Sequence, residues 1–108
     1  MDEFTIAQKS LQLAKRDLGL EADLSLSESE SPYERLTSIL EIRIKFLLDA
    51  NFLELMNALY RIDISEKVVA EILETTEPDK IARALAVVVM EREKQKVITR
   101  LQYRQHES

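Results

Sequence analysis

One glycine and two prolines in 108 residues narrow the choice of fold more than any other feature of this chain. Two-residue β-hairpin loops need positive φ angles, which glycine alone adopts without steric cost. A chain with Gly19 as its single glycine, and Pro32 and Pro78 as its prolines, lacks the punctuation of a multi-stranded sheet. Leu, Ala, Glu, Lys and Arg fill the sequence instead, and these favour helix. The expected fold class is all-α, a small bundle of four or five helices with a long C-terminal helix. Apolar residues make up 45% and charged residues 32%, enough hydrophobic material for one core, so residues 1–108 are read as a single helical domain.

Spacing places the helices. Phe4, Ala7, Leu11, Ala14 and Leu18 recur at intervals of three and four, which makes 1–19 an amphipathic N-terminal helix ended by Gly19. Residues 20–31, LEADLSLSESES, hold four acids, four serines and no base. They read as a linker, with Ala22, Leu24 and Leu26 marking either a short strand or an extended arm pinned by its leucines. Ser31, Pro32 and Glu34 combine an N-cap, a first-turn proline and the reciprocal glutamate of a capping box. The helix they open directs Leu36, Ile39, Leu40, Phe46 and Leu47 inward, with Ile42, Ile44 and Leu48 widening the apolar face.

Asn51 with Glu54, Asp63 with Glu66, and Thr76 with Asp79 repeat the cap-plus-three pattern and divide the rest into three further helices. Core helices therefore span 32–90, and 91–108 is a basic extension of the last one. A helix from Pro78 to Gln105 would be roughly 40 Å long, more than a small domain covers, so its end is expected to project or pair. The alternative is α+β, with alternating Val97, Thr99, Leu101 and Tyr103 as a short C-terminal strand over 97–103.

Chemistry is sparse. The absence of cysteine excludes disulfides, thiolate zinc sites, iron–sulfur clusters and cysteine nucleophiles, and fits a cytoplasmic protein. Acidic Asp2 and Glu3 open the chain where a secretory signal would be basic and apolar. His106, the single histidine, is the third residue from the end, a poor place for a base or ligand. With one glycine no phosphate-cradling loop is possible, and Glu41 and Asp49 read as surface positions of one helix rather than a catalytic pair. No cofactor, metal or small-molecule ligand is expected. Ser25, Ser27 and Ser31 each precede an acid by three residues, compatible with phosphorylation, though linker and cap explain them.

A helix-turn-helix frame fits Ala58 to Leu73 with Ile62–Ser65 as the turn. Its second helix is acidic, however, and phosphate would repel it. Two features remain. Val87, Met90, Val97, Ile98 and Leu101 form an apolar side on the last helix, the expected interface of a homodimer. Lys94, Lys96, Arg100 and Arg104 form a basic patch, most simply a solvated or dimer-flanking helix face, and otherwise a docking patch for an acidic protein surface. The function expected is a non-catalytic protein–protein interaction or assembly module that self-associates. The alternative is a nucleic-acid accessory protein using the basic segment, against which the net charge of -5 argues.

Overall fold

The computed structural model describes residues 2–27 and 31–107, with 105–107 described in backbone only. Five α-helices follow in order: α1 (Glu3–Leu18), α2 (Pro32–Ala50), α3 (Phe52–Ile62), α4 (Glu66–Thr75) and α5 (Ile81–Glu107), the last preceded by a 3-10 turn at Pro78–Lys80. The all-α fold with a 27-residue C-terminal helix is as the composition requires, and residues 97–103 are helical. None of the described helices is long and apolar enough to cross a membrane.

Caps set the boundaries. Asp2 accepts a 2.8 Å hydrogen bond from Thr5 N–H and Asn51 a 3.1 Å bond from Glu54 N–H, each satisfying one orphan donor of a first turn. Gly19 ends α1 at φ 68°, and Leu20 N–H donates to the Lys15 carbonyl. An equivalent turn ends α3, but there Asp63 takes the left-handed position at φ 72°, with its N–H on Tyr60 and that of Ile64 on Leu59. Asp63 is thus the C-cap of α3 rather than the N-cap of α4, a place filled by Ser65. Aspartate tolerates this conformation better than most non-glycine residues. Thr76 likewise closes α4 instead of opening α5. At the start of α2 the capping box is incomplete, because the Glu34 carboxylate lies 2.6 Å from Arg83 Nη2.

α1, α2 and α5 make most of the core, which Leu55, Ala58, Leu59 and Ile62 of α3 complete. α2 and α5 have the most extensive interface, followed by α1 against α5 and α1 against α2. The pairs Glu41–Arg83 and Tyr33–Lys94 show that α2 and α5 run antiparallel. Ala7, Leu11, Ala14 and Leu18 of α1 meet Leu36, Leu40, Ile44 and Leu47 of α2 and Leu85, Ala86 and Val89 of α5, all buried. Buried Ser10 and Thr37 return their hydroxyl protons to the carbonyls of Ile6 and Tyr33, four residues back, so neither is left unsatisfied.

Residues 20–27 of the linker form an arm, not a strand, and 28–30 lie outside the described residues. Leu26 is buried in the core, its N–H donating to Gln8 Oε1 at 2.9 Å, and Lys15 Nζ donates to the Ala22 carbonyl. Phe46, expected inside, is 56% exposed, and Ile42 is 74% exposed. Ile44 takes the inward place instead. α2 carries apolar residues around much of its circumference, and α1 and α5 together cover only one side of it. Gly19 gives a simple check: a Cβ added there would sit 3.3 Å from Arg43 Nη2 at a backbone angle that L-residues avoid. Gly19→Ala is expected to lower stability by about 1 kcal/mol in chemical denaturation.

Candidate functional site

The expected interface on α5 does not survive intact. Met90 is 8% exposed and Val97 4%, because α1 and α2 pack along α5 and cover this side within the chain. Val87 is exposed and Ile98 and Leu101 are half-buried, so these three alone of the five remain accessible to a second copy. The basic patch divides in the same way. Lys94 Nζ rests 4.4 Å from the centre of the Tyr33 ring, and Lys96 is drawn inward, while Arg100 and Arg104 stay exposed. The side chain of His106 lies outside the described residues.

Lys96 belongs to a buried charge cluster where α1 and α5 meet. Glu93 is fully buried and Asp17 is 4% exposed. Lys96 Nζ lies 3.1 Å from Glu93 Oε1 and 3.9 Å from Asp17 Oδ2, yet neither these oxygens nor Glu93 Oε2 receives a well-directed hydrogen bond. Arg16 Nε reaches Asp17 Oδ1 at 3.3 Å, and Arg61 of α3 donates to the Asp17 carbonyl at 2.9 Å. Burial, and next the neighbouring Asp17 carboxylate, push the Glu93 carboxyl up to about 7, with Lys96 opposing. Two carboxylates around one ammonium leave a buried excess of negative charge, and a proton on Glu93 removes it. With both acids closed off from solvent by α1 and α5, the cluster ties helices together and is not placed to meet a substrate.

The accessible apolar surface is elsewhere, on the outer face of α2. Ile39, Ile42 and Phe46 border a shallow groove with Leu20 and Leu24 of the arm, and the Arg43 guanidinium stacks 5.4 Å from the centre of the Phe46 ring. Helical periodicity puts Arg35, Ser38, Ile42, Phe46 and Asp49 in one row along this face, at spacings of three and four. Arg35 and Asp49, at its two ends, are exposed and form no ion pair with any described residue. The chain matches no known protein family, no curated protein and no solved structure.

A further groove runs between α1 and the last turns of α5. Its floor is Leu13, Val97 and Leu101, and its rim carries Lys9 on one side and Arg100 and Arg104 on the other. The helix-turn-helix frame over α3 and α4 is a packed pair whose outer surface, with Glu66, Glu71 and Glu74 exposed, is acidic.

Proposed function

We propose that this chain is a non-catalytic interaction protein that works as a two-fold pair, joined through the outer face of α2. The observation that carries the reading is the symmetry of the exposed row. When two copies of α2 pack antiparallel about Ile42, residues at equal distances on either side of it meet. Ile42 then faces its own copy, Phe46 faces the small Ser38, and Arg35 faces Asp49 of the second copy. An isologous contact needs such self-complementarity, with apolar residues at the axis and opposite charges at the two ends. An exposed isoleucine and phenylalanine one turn apart are costly in water at about 25 cal/mol per Å², and a second copy covers both.

The α5 residues first expected to mediate pairing offer a smaller surface, since Met90 and Val97 are already buried within the chain. Charge exchange tests the geometry. Arg35→Glu alone and Asp49→Arg alone each place like charges opposite one another and are expected to weaken the dimer about tenfold or more in sedimentation at low salt. Combined in one chain, the two substitutions restore opposite signs and are expected to recover most of the affinity. Failure of the double variant to recover while remaining folded contradicts the antiparallel register.

A further inference from the structure

We infer that the groove between α1 and the end of α5 is a second binding site, which accepts an acidic amphipathic helix of a partner protein. The inward row of α5 runs through Ala82, Ala86, Val89, Glu93 and Val97, and continues at the same spacing into Arg100 and Arg104. Beyond Val97 the row that packs the core has become cationic, while Leu13, Val97 and Leu101 keep an apolar floor beside it. Arg16, Arg61, Lys80, Arg83, Arg92 and Lys96 are each ion-paired within the fold. Lys9, Arg100 and Arg104 are exposed, and none pairs with a described residue. In a chain of net charge -5, three uncommitted cations around one apolar floor form a local reversal of sign.

Charge and spacing choose the occupant. Three cations exceed what a single small carboxylate neutralises, so the ligand carries several acids. Arg100 and Arg104 stand one helical turn apart, about 6 Å along the axis, which matches glutamates four residues apart on a facing helix. Leucines on the same face of that helix would fill the floor, as in other helix-in-groove recognition. Nucleic acid fits less well. Tyr103, the aromatic residue nearest this patch in sequence, is exposed but does not line the groove, which therefore offers no stacking platform for bases.

The test uses the full chain and three labelled probes in fluorescence anisotropy. These are a designed helical peptide with glutamates at i and i+4 beside a leucine stripe, the same peptide with lysines for glutamates, and a twelve-nucleotide single strand. The acidic peptide is expected to bind, to weaken as salt is raised, and to lose more than tenfold in affinity to Arg100→Glu combined with Arg104→Glu. Both arginines are exposed, so this variant is expected to keep its helical circular dichroism spectrum. Lys9→Glu, on the opposite wall, is expected to weaken the same peptide, while Lys67→Glu, exposed on α4 away from the groove, leaves it unchanged. Absence of binding by the acidic peptide overturns the inference. So does binding that the double variant does not weaken, or that the lysine peptide or the oligonucleotide equals.

Discussion

Glu93→Gln is expected to make the protein more stable above pH 7 and to change how stability depends on pH. Glutamine has the shape and neutrality of the protonated carboxyl and can donate toward Asp17. In the native protein the Glu93 carboxyl titrates near 7, against an ordinary value of 4.5. Between these two values the folded chain holds a proton that the unfolded chain releases. The contribution of Glu93 is therefore fully present below about pH 4.5 and is lost as the pH rises through about 7. The groups facing Glu93 are Asp17 of α1 and Lys96 of α5 itself, with Arg16 and Arg61 engaging Asp17 from its other sides. Urea denaturation of both proteins from pH 5 to pH 8.5 should show the variant gaining on the native chain by on the order of 2 kcal/mol across that range. Parallel curves would mean that Glu93 is ionised in the fold at neutral pH.

Lys96→Met is expected to cost about 3 kcal/mol at pH 7.5, a large effect for a residue beside the surface. Methionine keeps the bulk of the aliphatic stem, but the two buried carboxylates lose the ammonium 3.1 Å and 3.9 Å away. The loss should grow with pH, since each rise further favours ionised Glu93 beside Asp17, where the remaining cations, Arg16 and Arg61, engage Asp17 and not Glu93. Glu93→Gln in the same chain should recover at least half of the loss, because the buried excess charge is smaller. A double-mutant cycle measures this coupling directly. If Lys96→Met costs the same with glutamate or glutamine at 93, the cluster is not electrostatically coupled and its contribution is packing alone.

The outline of the fold was legible where one residue type has one physical use. Gly19 took the left-handed cap, Asn51 the N-cap, and the apolar spacing of α1 placed Ala7, Leu11, Ala14 and Leu18 inside. α2 was harder, since its apolar residues from Leu36 to Leu48 point in several directions and periodicity does not say which side the other helices cover. The five α5 residues were read as one open side because nothing local reveals that other helices of the chain bury Met90 and Val97. Asp63 misled through its side chain, which suits an N-cap as well as a left-handed C-cap. The charge cluster did leave a trace in the sequence. Glu93 follows Ala86 and Val89 in the inward row of α5, and Asp17 stands between Ala14 and Leu18 on α1, so both acids fall in core phase. A charged residue in core phase signals a buried partner, but the partner's identity needed the fold.

If the exposed face of α2 joins two copies of this chain, as proposed, the molar mass in solution shows it most directly. Light scattering at micromolar concentration is expected to give twice the chain mass of 12.5 kDa for the native protein. Ile42→Glu combined with Phe46→Glu should give the mass of one chain, with the helical spectrum unchanged because both side chains already face solvent. A native protein that is monomeric at this concentration, or a dimer that the two glutamates leave intact, would contradict the account.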